Sequence, residues 1–212
     1  MFVSLHKQQL NMKHLIVLAA LLIFANSFSQ TTSNDFFIEG NKKTNAKEYK
    51  EAIADYDKAI ELDAKNASAY NNRGIAKLQL EKDKAAVEDF TKAIELQSTY
   101  AEAYNNRGLA YGQLRNYKKA LKDYDKVLEL LPGNLRAYEN RASVKLQTDD
   151  YEGALQDFNK LIEIKPKHAK FYYDRGMCLY QMQKVEEACV DLHKADQMGY
   201  KHAKEMITNL CN

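Results

Sequence analysis

The chain has 212 residues, of which 45% are hydrophobic and 28% are charged, the balance of an ordinary folded protein. Its 31 basic and 29 acidic side chains give a formal net charge of +2, and Lys7 and Lys13 precede the region expected to fold. The folded part is therefore close to neutral, which argues against a nucleic-acid-binding protein. Only two prolines and eight glycines interrupt the chain, so long helices are expected rather than a sandwich of short strands.

The first 29 residues have the pattern of a secretory signal peptide. Lys13 precedes an uncharged apolar run at 15–24, and small residues follow it. The run is too short for a membrane-spanning helix, which needs roughly 20 apolar residues. Cleavage after Ser29 would leave Gln30 as the new N-terminus and a mature chain without a transmembrane span. We therefore expect an exported protein, periplasmic or secreted; an uncleaved N-terminal anchor and a true start at Met12 are the alternatives.

The rest of the chain repeats itself every 34 residues. A fixed period of this length indicates that one structural unit, built from helices or from helices and strands, is repeated and stacked along the chain. The columns that carry the period are an aromatic column, a basic column, a small-residue column, an alanine column and a second aromatic column. They are, in that order, Tyr70, Tyr104, Tyr138 and Tyr172; Arg73, Arg107, Arg141 and Arg175; Gly40, Gly74, Gly108, Ala142 and Gly176; Ala52, Ala86, Ala120, Ala154 and Ala188; and Tyr56, Phe90, Tyr124 and Phe158.

Each unit contains two predicted helices. In the second unit, residues 69–80 have apolar or small side chains at helical spacing, and a polar break at 81–84 separates them from a second helix at 85–96. Pro132 and Pro166 end the third and fourth units, where a helix cannot easily continue. The glycine and alanine columns predict close helix contacts, with the large aromatic side chains filling the space beside them.

The period and the order aromatic, glycine, alanine, aromatic, alanine, proline resemble the tetratricopeptide repeat. The resemblance covers about residues 33–202 and implies an all-α, right-handed superhelical solenoid of five helix pairs. The first helices would line a concave groove that usually binds peptides or other proteins. The predicted units are 33–66, 67–100, 101–134, 135–168 and 169–199, followed by a C-terminal capping helix at 200–212. On that helix Ala203, Met206, Ile207 and Leu210 share one face and would cover the last repeat.

The predicted groove carries two rows of amide side chains. Positions are counted here from the first residue of each unit, and positions 6, 9 and 13 share one helical face. An amide both donates and accepts hydrogen bonds, so such rows could hold the backbone of an extended peptide. The Asn row also resembles the asparagine ladder of some peptide-binding members; solvated repeat consensus is the alternative. The rows are Asn72, Asn106 and Asn140 at position 6 and Gln79, Gln113, Gln147 and Gln181 at position 13, with Ile75, Leu109 and Met177 between them at position 9.

A carboxylate clamp, by which some members of the family grip the C-termini of chaperones, is not predicted. Of the five positions that the clamp requires, only Asn140 and Lys170 fit, and Asp174 has the wrong charge. The arginine column instead occurs together with an aspartate column. A partly buried arginine needs a partner, so these residues are predicted to form structural ion pairs rather than a functional basic stripe. The aspartates are Asp89, Asp123, Asp157 and Asp191.

Three cysteines in an exported chain suggest one disulfide and one free thiol. Cys189 and Cys211 lie at the same level of an antiparallel helix pair, so their disulfide would attach the capping helix, while Cys178 lies in a core column. Cys178–Cys189 is the alternative. A metal site begun by Cys189 and His193 lacks the ligand spacing of a zinc site. The sequence predicts no metal, no cofactor and no catalytic residue.

We therefore predict a non-catalytic scaffold that binds a peptide or protein segment in the concave groove. A self-associating structural component of a cell-envelope assembly is the alternative function. The identity of the partner does not follow from the fold, because this architecture serves many unrelated partners.

Overall fold

A computed structural model describes residues 32–211; the predicted signal peptide and its cleavage site lie outside this range. Within it the protein is all helical, with eleven helices and no strand. None of these helices is long and apolar enough to span a bilayer. They are α1 (Ser33–Asn45), α2 (Tyr49–Leu62), α3 (Ala67–Gln79), α4 (Asp83–Leu96), α5 (Ala101–Gln113), α6 (Tyr117–Leu130), α7 (Leu135–Gln147), α8 (Tyr151–Ile164), α9 (Ala169–Gln181), α10 (Val185–Gln197) and α11 (Ala203–Leu210).

The helices form five consecutive pairs, and each pair packs against the next. The first helix of one unit also touches the first helix of the following unit, from α1 to α3 through α5 to α7. Because almost every contact joins neighbours along the chain, the molecule is a solenoid. The predicted all-α solenoid is confirmed.

The core is built from the alanine and aromatic columns. In the third repeat a Cβ at Gly108 would lie 2.8 Å from Cε1 of Tyr124. A Cβ at Gly40 or at Gly74 would lie 2.7 Å from the aromatic ring of the same repeat. Two helices of one repeat therefore approach as closely as an aromatic ring allows. In the fourth repeat Ala142 takes the place of glycine and packs with Phe158.

Each first helix ends in the same Schellman motif. Residue 15 of every unit has a left-handed backbone, with φ between 54° and 63°, and none of the five is glycine. In the second repeat the amide of Lys82 donates to the carbonyl of Lys77, and that of Glu81 donates to Leu78. This motif ends α3 at Gln79, one residue before the predicted end, and α4 begins at Asp83, two residues before the predicted start.

The capping helix α11 covers the end of the last repeat. Ala203 is buried, and Met206, Ile207 and Leu210 are half-buried. A disulfide joins Cys189 of α10 to Cys211 at the end of α11, 22 residues later. A loop of this length corresponds to about 3 kcal/mol of stabilisation in the chain-entropy description. The bond therefore holds an eight-residue helix that is too short to be stable alone.

Two glycines of α5 provide a matched test of this packing. A Cβ at Gly112 meets nothing within 4 Å, so Gly112→Ala should raise the free energy of unfolding by about 0.5–1 kcal/mol through helix propensity. Gly108→Ala has the same gain in propensity but overfills the contact with Tyr124, which costs about 1–3 kcal/mol. Thermal denaturation followed by circular dichroism should place the melting temperature of Gly112→Ala above the parent and that of Gly108→Ala below it. Equal shifts of the two variants would contradict the close contact.

Candidate functional site: the concave groove

The two sides of each first helix differ in character. Successive residues turn by 100° about a helix axis, so positions 6, 9 and 13 face one way and positions 4, 7 and 11 face the opposite way. The first side is the predicted groove, which carries amides and apolar residues. The second side carries the tyrosine and arginine columns and packs near the second helices.

The asparagine row of the groove joins neighbouring repeats. Nδ2 of Asn106 donates to Oδ1 of Asn71 at 3.1 Å, and Nδ2 of Asn140 donates to Oδ1 of Asn105 at 3.2 Å. The asparagine at position 6 of one repeat thus binds the asparagine at position 5 of the repeat before it. Asn106 is only 8% exposed. These side chains are therefore committed to holding adjacent first helices together, and they have less capacity for a ligand than the sequence suggests.

The first asparagine of the row has a partner that the sequence analysis missed. Nδ2 of Asn72 donates to Oδ1 of Asn41 at 2.8 Å, and the same oxygen accepts from the hydroxyl of Tyr56 at 2.8 Å. Asn41 lies at position 9, where the other repeats have Ile75, Leu109, Ser143 and Met177. Position 5 of the first repeat is Phe37 and not asparagine, and the acceptor is instead at position 9. No periodic signal therefore pointed to Asn41.

The glutamine row is the exposed amide row of the groove. Gln79, Gln113, Gln147 and Gln181 are each the last residue of a first helix, and all four are exposed. Within the described residues their side chains form no hydrogen bond. Asn45, the last residue of α1, is exposed at the equivalent place and extends the row to the first repeat. Five amides along the groove can therefore both donate to and accept from a ligand.

Cavities of the groove lie between adjacent first helices. One of about 330 Å³ is formed where the third repeat meets the fourth, and its lining includes Leu109, Gln113, Asn140 and Gln147. Another of about 330 Å³ lies where the first repeat meets the second, lined by Asn41, Thr44, Asn45, Tyr56, Asn72 and Ile75. Both cavities use positions 9, 12 and 13 of one repeat and position 6 of the next. Arg115 lines the cavity between the third and fourth repeats and is the one charged residue in the lining of either cavity.

On the opposite side, each arginine of the basic column donates hydrogen bonds from two nitrogens to the aspartate of its own repeat. Arg107 donates from Nε and Nη2 to the two carboxylate oxygens of Asp123, both at 2.8 Å. Each guanidinium also lies over a tyrosine ring at position 4, at 5.3–5.8 Å from the centroid. The same fork joins Arg73 to Asp89, Arg141 to Asp157 and Arg175 to Asp191.

The remaining guanidinium nitrogen reaches the preceding repeat. Nη1 of Arg141 donates to Asp125 of α6 at 2.6 Å. The corresponding acceptors of the other three arginines are Asp57, Thr91 and Asn159, all at position 25. One side chain therefore connects its own second helix with the second helix of the repeat before it.

These contacts keep the guanidinium groups charged. Burial is the largest single influence on Arg107 and would lower its pKa, but the hydrogen bonds to Asp123 and the negative charge of that carboxylate together outweigh burial, and the pKa is raised. In Arg175 the hydrogen bonds to Asp191 are the largest contribution, and the pKa is again raised. The arginine column therefore stays cationic at every physiological pH.

Family models match most of this array. The model described as Tetratricopeptide repeat matches residues 101–134 and, in a second version, 135–168, while the model described as TPR repeat matches 40–81 and 76–115. The protein belongs to the tetratricopeptide repeat family. Like the members of this family, it is a protein-interaction scaffold and not an enzyme.

Solved structures of tetratricopeptide repeat proteins superpose on the chain. MamA is 25% identical, with a TM-score of 0.72, and the match covers 78% of this chain and 96% of MamA. YrrB, described as a TPR protein with an unusual peptide-binding site, is 25% identical over 86% of this chain and 97% of its own, with a TM-score of 0.70. The first TPR of Spaghetti (RPAP3), bound to the HSP90 peptide SRMEEVD, is 31% identical over 57% of this chain and 96% of its own, with a TM-score of 0.55. No curated protein matches the chain.

The cysteines of the tetratricopeptide array occupy two environments. The predicted disulfide Cys189–Cys211 is formed. Cys178 is a buried free thiol that donates to the carbonyl of Tyr151 at 3.4 Å, and burial raises its pKa to about 11. Among the residues that the structure describes, no three histidine, cysteine or acidic side chains come together as metal ligands.

In the fourth repeat, the contact of Arg141 with the buried aspartate of its own repeat can be tested separately from its contact with the exposed aspartate of the preceding repeat. Asp157→Ala removes a carboxylate that is 2% exposed and leaves Arg141 and Lys145 without it, so it should destabilise the protein by about 3 kcal/mol. Asp125→Ala removes a carboxylate that is 61% exposed and should cost no more than about 1 kcal/mol. Urea denaturation of both variants checks this, and similar losses would show that burial does not decide the strength of these pairs.

Proposed function

We propose that the concave groove binds an extended peptide or protein segment through its exposed glutamine row. The observation that carries this proposal is the pair of cavities between first helices. Gln113 and Gln147 flank one cavity and Asn45 flanks the other, and these three amides form no hydrogen bond within the described residues. YrrB and the RPAP3 repeat domain, both structural neighbours, are described with a peptide-binding site or a bound peptide.

The amide row favours contact with a peptide backbone over contact with charged side chains. An extended segment presents N–H and C=O groups in alternation, and each glutamine amide can meet either kind. The groove cavities contain the single charged side chain Arg115. Binding should therefore depend on the backbone and the apolar side chains of the ligand, with Leu109 supplying apolar surface, and should change little with salt.

A selected peptide tests the glutamine row. Peptides are selected from a random library on the immobilised protein, and the affinity of one of them is measured by calorimetry. Gln113→Ala/Gln147→Ala should weaken binding about tenfold, because each lost hydrogen bond is worth about 0.5–1.5 kcal/mol. The control Gln97→Ala/Gln197→Ala removes two exposed glutamines at the ends of α4 and α10 and should leave the affinity unchanged.

The same peptide tests backbone recognition. N-methylation of alternate residues removes backbone donors without changing side chains and should abolish binding. Unchanged binding of the methylated peptide, or equal losses in the two glutamine variants, would refute the proposed groove. Concentration-dependent oligomers in sedimentation velocity, with no selected peptide, would favour the self-associating structural component instead.

We also propose that the protein is exported, as a periplasmic or secreted protein. The basic residue, apolar run and small residues before Gln30 support a cleaved signal, and the disulfide Cys189–Cys211 is of a kind that persists in oxidising compartments. N-terminal sequencing of the exported protein should find Gln30 first. A thiol assay in denaturant should find one free cysteine, Cys178. An intact N-terminus in the membrane fraction would favour the uncleaved anchor, and three free thiols would exclude an oxidising compartment.

A further inference from the structure

The third repeat has a cavity on the side of α5 that faces away from the groove. It is about 620 Å³ in volume and lies between α5 and α6. Tyr104, Arg107 and Tyr111 line it at positions 4, 7 and 11, opposite the groove positions of the same helix. The α6 side of this third-repeat trough is lined by Lys119, Lys122, Asp123, Asp125, Lys126 and Glu129.

The acidic residues of the trough are already engaged. Asp123 accepts from Arg107 with both oxygens, Asp125 accepts from Arg141, and Glu129 pairs with Lys126. Their charges are therefore matched by cations in contact with them, and they repel an incoming anion less than bare carboxylates would.

The lysines include cations that remain available. Lys122 forms no ion pair in the part of the chain that the structure describes, and Lys119 contacts only the ring of Tyr111, at 5.2 Å from its centroid. Within the same part of the chain, the hydroxyls of Tyr104 and Tyr111 form no hydrogen bond. The trough therefore collects ammonium and phenol donors without an acceptor, which is the chemistry of an anion-binding surface.

This chemistry is specific to the third repeat. At position 11 the first, second and fourth repeats have Lys43, Lys77 and Lys145, each paired with the aspartate of its own second helix. Tyr111 replaces that lysine, and its ring packs partly against the core of the third repeat, lies beside the guanidinium of Arg107 and lines the trough. The lysines of α6 are equally exceptional. Positions 19 and 22 are Glu51 and Ala54, Ala85 and Glu88, Gly153 and Gln156, and Glu187 and Val190 in the other repeats, against Lys119 and Lys122 here.

The scaffold does not require Lys119 and Lys122, because the other four repeats fold without lysine at positions 19 and 22. The array is held by columns that all or most of its repeats share, whereas these two lysines belong to one repeat. Two like charges three residues apart on a helix add no stability to it. The contacts of the scaffold within the described residues therefore do not account for two ammonium groups without a carboxylate partner at one trough.

The distribution of the charges identifies the kind of anion. Lys119, Lys122 and Lys126, the last of which also pairs with Glu129, span eight residues of α6, about 10 Å along its axis. Their side chains would have to converge on a single phosphate or sulfate ion, whereas an elongated anion meets each ammonium group without such convergence. An extended polypeptide places alternate side chains about 7 Å apart on one face, so two or three acidic side chains of one segment match the row. The tyrosine rings supply apolar surface for the rest of the segment.

We propose that the third-repeat trough is a second binding site, which takes an acidic segment of a protein partner on the face opposite the groove. The two sites lie on opposite sides of α5, so one partner can occupy the groove while an acidic segment occupies the trough. Electrostatics dominates at the trough and neutral amides dominate in the groove. The two sites therefore differ in salt dependence.

Fluorescein-labelled hexaglutamate is the probe, with hexaglutamine as the uncharged control. Its fluorescence anisotropy is titrated with the protein at low ionic strength and again at roughly 0.3 M salt, where the Debye length falls below about 8 Å. Lys119→Glu/Lys122→Glu should weaken hexaglutamate binding at least tenfold, and Lys119→Gln/Lys122→Gln should give an intermediate loss. Salt should weaken binding to the parent, and hexaglutamine should not bind.

A matched pair of lysines outside the trough controls for overall charge. Lys84 and Lys118 are both exposed, occupy position 18 of the second and third repeats, and do not line the cavity. Lys84→Glu/Lys118→Glu changes the net charge by the same amount and should reduce the affinity less than threefold. Circular dichroism establishes that all variants are folded. Equal losses of affinity in the two charge-reversal variants would show that the effect comes from the net charge of the protein, and would overturn the site.

Three further outcomes would also overturn the proposal. Displacement of hexaglutamate by inorganic phosphate, beyond that caused by chloride at equal ionic strength, would identify a small-anion site. Tighter, lysine-dependent binding of a DNA duplex would identify a nucleic-acid surface. Loss of hexaglutamate binding in Gln113→Ala/Gln147→Ala would place the probe in the groove. Retained binding in that variant supports a trough that works independently, whether or not the groove binds a peptide.

Discussion

The arginine at position 7 is the contact on which the geometry of the array depends. Its guanidinium binds the aspartate of its own repeat through two nitrogens and reaches an acceptor of the preceding repeat through the third, while a tyrosine ring covers it. A planar fork fixes direction as well as distance, which apolar packing does not. In a solenoid each repeat contacts its neighbours, so the angle between successive repeats must be set locally. This arginine joins the helices between which that angle is formed.

The asparagine contacts provide the corresponding link on the groove side. In the second, third and fourth repeats an arginine joins second helices on one side of the first helix, and asparagines join first helices on the other. The helices α3, α5 and α7 are thus held by polar contacts on two opposite sides, with the small and aromatic columns packed between them. Within the described residues, the glutamines at the helix ends and Lys119 and Lys122 of α6 belong to neither system. The polar groups that hold the scaffold and those that we propose for ligands are therefore separate sets, although they alternate along the same helices.

The sequence alone predicted the array because its dominant signals are periodic. The fold, the arginine–aspartate pairs and the disulfide followed from columns or from levels in a helix pair. The asparagine row was less predictable, since positions 5 and 6 differ by only 100° around the helix and position 6 borders both the groove and the neighbouring repeat. Asn41 carried no periodic signal at all. The helix ends also escaped, because the left-handed residues that form the Schellman motifs, such as Glu81 and Arg115, are not glycine.

A repeat protein contains its own comparison set, and this determines how its residues are interpreted. Five copies of one unit solve the same folding problem, so a residue type that most copies share, and whose contacts lie within the scaffold, is sufficiently explained by that problem. The arginine, aspartate, glycine and position-6 asparagine columns are of this kind, and their contacts lie within the scaffold. A polar group without such contacts, whether shared or confined to one copy, is not explained in this way. By this criterion we assign the shared glutamine row, which has no partner within the described residues, to the proposed general groove. The lysines Lys119 and Lys122 beside Tyr111 belong to the proposed surface that would distinguish one partner from another.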